Sequence, residues 1–295
     1  MQKAAMPKSR NSGSIYSYWF MLPAFVIFIL FFIVPMVISL YFSMTVWDFN
    51  SSRFVGLENF KTFLSTYSMS IGITNTFIYA ILTSGIKVIL AFFIAIFLTS
   101  KIKSKNVLRS IVFFPNLVSA IAIGIAFKAL MHPTNGLINR ALNVFGISSV
   151  DWLGNRSIAL YSVILTDVWK GLSIATVIYI AGISSIDSSY YEAAEIDGAT
   201  GWQKIRYVTL PLTASSRNTV IILSFIGGLR SFELIWAMTG GGPGFATDVL
   251  ASIVYKQYAQ GYYGLSTAGN VIMLLLTALL AFPLQAYLNR REAKK

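Results

Sequence analysis

Six long, predominantly apolar runs limit what this chain can fold into: about Tyr18–Phe42, Ile71–Leu98, Leu108–Met131, Ala159–Ile180, Asn218–Met238 and Leu265–Tyr287. A helix rises 1.5 Å per residue, so roughly 20 apolar residues cross the ~30 Å hydrocarbon core of a bilayer. Each run meets that length. In lipid every backbone N–H and C=O needs an internal partner, which leaves helices as the form for runs of this length. Composition agrees, with 56% hydrophobic and only 12% charged residues among 295. The expected fold is therefore an all-α membrane protein with six transmembrane helices. The first run exceeds the ~7–15 apolar residues of a signal peptide and reads as a retained helix. Pro23 and Pro35 inside it predict kinks.

The net charge of +12 could point to nucleic acid, but the cations alternate with the spans. Lys3, Lys8 and Arg10 precede the first span, and Lys101, Lys103, Lys105 and Arg109 join the second to the third. Lys204, Arg206 and Arg217 join the fourth to the fifth, and Arg290, Arg291, Lys294 and Lys295 follow the sixth. The opposite side carries fewer: Arg53, Lys61, Arg140, Arg156 and Lys256. By the positive-inside rule both termini are cytoplasmic, and no nucleic-acid partner is needed. The chain divides into a cytoplasmic tail at 1–17, a membrane domain at 18–288 and a short cytoplasmic tail at 289–295. A cytoplasmic loop at 182–217 lies inside the membrane domain.

Several chemistries are excluded. There is no cysteine and only one histidine, His132, so thiolate and His-pair metal sites cannot form. No Gly-Lys dipeptide occurs, so the chain lacks a phosphate-binding P-loop. Neither a catalytic nor a metal site is expected.

The 182–217 loop is polar and rich in helix signals. Ser189-x-x-Glu192 and Thr200-x-x-Gln203 fit two capping boxes, Asp197-Gly198 fits the end of the first helix, and Pro211 is expected to stop the second. Ala193 and Ala194 leave part of the first helix nearly bare, while Tyr190, Tyr191, Ile196 and Trp202 supply apolar anchors. Such an elbow can dock a partner or rest on lipid or its own bundle.

Glu192-Ala193-Ala194, three residues, Gly198, nine residues, then Val208-Thr209-Leu210-Pro211 resembles the EAA loop of binding-protein-dependent ABC importer permeases. Ile is usual in that family where Val208 stands. Phe54-Val55-Gly56-Leu57-Glu58-Asn59-Phe60, Asn75-Thr76, Gly136-Leu137-Ile138-Asn139, Trp152-Leu153-Gly154, Trp169-Lys170-Gly171 and Thr239-Gly240-Gly241-Gly242-Pro243 extend the likeness to the carbohydrate-uptake type. The resemblance implies a maltose-permease-like fold in the bacterial inner membrane. It implies a sugar or oligosaccharide importer working with a second homologous permease, two ABC ATPase subunits and an extracytoplasmic substrate-binding protein. ATP and Mg would be held by the ATPases, with no cofactor in this chain. Glu192, Ala193, Ala194, Asp197, Gly198, Leu210 and Pro211 would couple ATPase motion to alternating access. A permease for glycerol-3-phosphate or another polyol derivative stands as an alternative, and a stand-alone secondary transporter is the rival of a different class.

Charges within spans are costly and are paired or functional. Asp167 and Lys170, and Arg230 and Glu233, are spaced i,i+3 and could pair on one helix face. Lys87 and Lys128 are expected to snorkel or to find partners on other helices. The resemblance implies a substrate pathway along Trp169, Lys170, Gly171, Ile174, Ser224, Gly228 and Ser231, with Glu233 near the outer end. The competing expectation for the small residues Ser224, Gly227, Gly228 and Ser231 is close helix packing. Tyr255, Tyr258, Tyr262, Tyr263, Trp47 and Trp152 are expected in the interfacial aromatic belt. The Gly240–Gly244 turn is expected to face the substrate-binding protein.

Overall fold

The computed structural model describes residues 18–48, 51–100 and 102–293. Lys3, Lys8, Arg10, Lys101, Lys294 and Lys295, and the 1–17 tail, lie outside the described residues. Four helices are long and apolar enough to cross a membrane: α1 (Trp19–Ser43), α3 (Tyr67–Thr99), α7 (Ala159–Ser184) and α13 (Tyr263–Glu292). Between α1 and α3 come a two-stranded hairpin, β1 (Thr45–Trp47) and β2 (Ser52–Phe54), and the short helix α2 (Glu58–Ser65). The strands are antiparallel, with Val46 opposite Arg53.

Two of the six expected spans are broken. The third is α4 (Lys105–Leu117) followed by α5 (Ala120–Leu130), bent by 100°. The break falls at Val118, whose extended ψ of 136° ends α4 three residues beyond Pro115. The fifth is α10 (Ala214–Leu229) followed by α11 (Glu233–Thr239), bent by 48° across Arg230–Phe232. Apolar length alone could not show either break, because both halves are apolar. Outside the spans lie α6 (Leu137–Val144) and α12 (Leu250–Ala259). The connection between the fourth and fifth spans holds α8 (Ser188–Ile196) and α9 (Gly201–Lys204).

The helix runs on through Pro35 and through Pro211, which was expected to stop it. Each is preceded by a π turn, Ile29–Ile33 and Ile205–Thr209. The Val34 N–H bonds the Ile29 carbonyl, and the Leu210 N–H bonds the Ile205 carbonyl, five residues back in both cases. A proline ring crowds the carbonyl four residues before it and offers no N–H. Widening the preceding turn relieves that crowding while the helix continues. Pro23 sits in the first turn of its helical segment, where a missing N–H costs nothing.

The core forms where α3, α7 and α10 meet. Tyr79, Val163, Ile164, Val168, Leu234 and Ile235 make one buried cluster, and Ala91, Ala95, Ala175, Tyr179 and Val220 a second. Small residues set the approach. A Cβ on Gly228 would lie 2.6 Å from the Ala80 Cα, so α10 sits nearly backbone to backbone on α3.

Candidate functional site

The first helix of the elbow is capped at both ends and the second at its start. Helix α8 starts two residues earlier than its capping-box reading: the cap is Asp187, whose carboxylate accepts from the Ser189 N–H at 2.9 Å, and Ser189 is not a cap. Hydrogen bonds from Ser189 hold the Asp187 carboxyl below the ordinary aspartate range. At the other end the Gly198 N–H bonds the Glu195 carbonyl and the Ala199 N–H bonds the Ala194 carbonyl. This is a Schellman closure, and it requires the φ of +73° that Gly198 adopts. The capping box at α9 forms as read. The Thr200 N–H donates to Gln203 Oε1 at 2.6 Å, and the Gln203 N–H returns to Thr200 Oγ1 at 3.4 Å.

Two contacts fold the elbow on itself. Lys204 Nζ meets Glu195 Oε1 at 2.6 Å, bridging α9 to α8. The Tyr191 hydroxyl lies 3.0 Å from the Thr209 hydroxyl, tying α8 to the π turn. Tyr191 therefore faces inward and is no external anchor. Tyr190 and Trp202 are exposed, and Ile196 at the tip is 87% exposed. Glu192, Ala193, Asp197 and Gly198 are exposed beside them, with Ala194 half-buried. Leu210 and Pro211 lie in the helical segment that runs from the π turn towards α10. The elbow thus offers a small-residue surface with a carboxylate and bare apolar side chains, on a stiff frame.

Inside the bundle the expected ion pairs are replaced. Asp167 does not pair with Lys170. Its Oδ2 accepts from Lys87 Nζ at 2.7 Å, linking α7 to α3. Lys87 reaches it by crossing Gly171, where any Cβ would overlap the Lys87 Cε. Asp167 and Gly171 share a face one turn apart. Arg230 and Glu233 make no ion pair either, because the break at Arg230–Phe232 removes the helical i,i+3 geometry. The Tyr79 hydroxyl is fully buried and turned towards Asp167 and Ser231, without reaching hydrogen-bond geometry to either.

The residues read as a pathway therefore divide. Gly171 and Gly228 are packing positions against Lys87 and Ala80. Trp169 and Ile174 are exposed, at 42% and 47%, and Trp169 leans on Phe127 with ring centroids 5.2 Å apart. Lys170, Ser224 and Ser231 are half-buried and Glu233 is exposed. Gly227 faces open space, so close helix packing is seen at Gly228 and not at Gly227.

Three asparagines with no assigned role organise the loops at the ends of the spans. Asn75 Nδ2 donates to the Ala246 and Asp248 carbonyls at 3.0 and 2.9 Å, and Thr76 accepts from the Leu250 N–H at 2.9 Å. This fastens the glycine-rich connection after α11 onto α3. Asp248, fully buried, meets Lys256 at 2.7 Å beneath the same loop. Asn139 donates to the Pro133 and Val150 carbonyls and accepts from the Val150 N–H and the Trp152 indole. Trp152 is thus a half-buried side chain whose indole is bonded to Asn139. Asn59 donates to the Ser43 and Thr45 carbonyls. Buried amides can satisfy several backbone groups at once, which explains why separate sequence motifs meet in space.

A family profile described as "Binding-protein-dependent transport system inner membrane component" matches residues 87–294. The trehalose/maltose transport system permease protein MalF of Thermococcus litoralis is 31% identical over 261 residues, covering 88% of this chain and 88% of its own. The probable starch degradation products transport system permease protein AmyD of Thermoanaerobacterium thermosulfurigenes is 27% identical over 278 residues, covering 93% and 94%. Among solved structures, a chain of a bacterial ABC transporter involved in the import of the acidic polysaccharide alginate superposes with a TM-score of 0.78 at 23% identity, over 94% of both chains. That likeness concerns the fold.

Proposed function

Because the chain belongs to the family of binding-protein-dependent transport system inner membrane components, we propose that its elbow is the element through which partner ATPases drive the import of a sugar or oligosaccharide. The family's members are non-catalytic, multi-pass membrane subunits of ABC importers. Its sugar class is supported by the names of the relatives at 31% and 27% identity. In this reading the chain works beside a second permease, two ABC ATPases that hold ATP and Mg, and a substrate-binding protein at the outer face. The termini and the elbow are cytoplasmic.

One observation carries the reading: the capped elbow presents Glu192, Ala193, Ile196 and Trp202 outward on a frame continuous with the fifth span. A small-residue surface lets a groove approach closely, and the neighbouring apolar side chains gain by desolvation there. When the ATPases close, the elbow moves with them and the fifth span follows. Substrate shifts the two access states only through its different affinity for each. Trp169, Lys170 and Ile174 of the fourth span and Ser224, Ser231 and Glu233 of the fifth-span region are proposed to meet the cargo.

Gly198→Asp tests the elbow. A side chain at φ +73° strains the Schellman turn, and an added carboxylate alters the docking surface. Uptake in vesicles reconstituted with the partner subunits should fall at least tenfold, with insertion and detergent melting temperature nearly unchanged. Wild-type uptake by this variant refutes the coupling role.

A further inference from the structure

The outer connection between α1 and α3 meets the start of α13 around a cavity of about 440 Å³ that none of the foregoing uses. Trp47, Tyr262 and Tyr263 form its ring-bearing walls, with Arg53 and Glu58 at the polar side. The walls are braced from behind. Trp47 stacks on Phe42 with centroids 4.5 Å apart and meets Tyr263 at 5.0 Å, and Tyr258 abuts Tyr263 edge-on at 5.3 Å. Asn59 fixes the corner through its bonds to Ser43 and Thr45. The cavity is therefore preformed by packing.

Its two charged side chains are uncommitted. Among the described residues, neither Arg53 nor Glu58 makes an ion pair or a side-chain hydrogen bond, although both line this cavity. An acyl chain filling the space would give neither charged group at its edge a partner. A small anion would meet the Glu58 carboxylate, and a small cation the Arg53 guanidinium. A neutral ring bearing several hydroxyls fits both demands. Its C–H faces pack on the aromatic rings, while its hydroxyls donate to the carboxylate and accept from the guanidinium. The volume lies within the range of small-ligand clefts and admits one or two such rings.

We propose that this cavity binds a glycosyl unit, distinct from the pathway within the spans. Its assignment to the outer face rests on the topology of the proposed function. The glycosyl unit could belong to a free oligosaccharide or to the headgroup of a glycolipid in the outer leaflet, and the two sources share this chemistry.

The test uses the full chain assembled with its partner subunits in nanodiscs, without ATP. Saturation-transfer NMR with trehalose, maltotriose, mannobiose, galactobiose and cellotriose forms one arm. Retention of diglucosyl diacylglycerol by native mass spectrometry forms the other. At least one probe should bind, with affinity at least tenfold weaker in Glu58→Gln and in Trp47→Ala, and largely kept in Trp47→Phe. Binding confined to the first arm identifies free saccharide, and binding confined to the second identifies lipid. Silence in both arms overturns the site, as does binding that ignores Glu58→Gln and Arg53→Gln, two exposed changes that leave the fold intact. Because binding is read without ATP, its loss is a separate outcome from the loss of uptake in Gly198→Asp.

Discussion

Lys87 and Asp167 show how one residue pair can hold two spans together. Removing one partner leaves a buried charge uncompensated, which costs about 3–5 kcal/mol, whereas removing both can be nearly neutral. Lys87→Met should therefore destabilise the protein strongly, and Lys87→Met with Asp167→Asn should recover most of the loss. Melting temperature in detergent reads both, and equal damage in the single and double variants argues against the pair. The sequence showed that these charges needed partners but pointed Asp167 to the wrong one. Spacing along a single helix carries no information about a lysine eighty positions away. Gly171 was the available signal, since a glycine one turn from a buried aspartate leaves room for a long side chain to cross.

At the level of elements, the helices were legible and their interruptions were not. Apolar length located the four unbroken spans and both bent pairs, yet it gave no sign of the breaks at Val118 and at Arg230–Phe232. The elbow's turn and second cap were legible, because caps are local chemistry: Thr200, Gln203 and Gly198 act within a few residues of themselves. The error at its start, Ser189 for Asp187, came from two capping residues standing close together. Asp187 predicts a pH effect. Its carboxyl titrates lower in the fold than in the unfolded chain, so its capping contribution is complete above the unfolded value and is lost as pH falls through the folded one. The Ser189 amide resonance should follow that acid titration, and in Asp187→Asn it should not move. The asparagine staples behave differently, because their partners lie far along the chain. Asn75→Ala removes two hydrogen bonds worth about 0.5–1.5 kcal/mol each. Hydrogen exchange across residues 244–250 should quicken, with exchange in the elbow unchanged. If the elbow quickens too, the staple is not local.

For the molecule as a whole, the first span is the least supported part. Its later half packs on α13, but Trp19, Phe20, Phe31 and Phe32 stay exposed and none of its most apolar window is buried. Lipid covers such a surface without cost, and a second membrane chain can cover it as well. In the assembled importer we expect the latter. The absence of cysteine gives a clean background for the measurement. A single Phe31→Cys, paired with single cysteines on the partner permease, should yield a cross-linked heterodimer in membranes. A span that yields only lipid adducts lies at the periphery.

The π turn before Pro211 bears on how force travels. A flexible tether between the elbow and the fifth span would swallow a small displacement by bending. Here the peptide backbone stays helically wound from Gly201 to Leu212 and resumes at Ala214, with the Thr213 hydroxyl bonded to the Thr209 carbonyl across the junction. In the proposed coupling role, a push on α9 would be handed to the fifth span through wound backbone and a bonded junction instead of a loose tether.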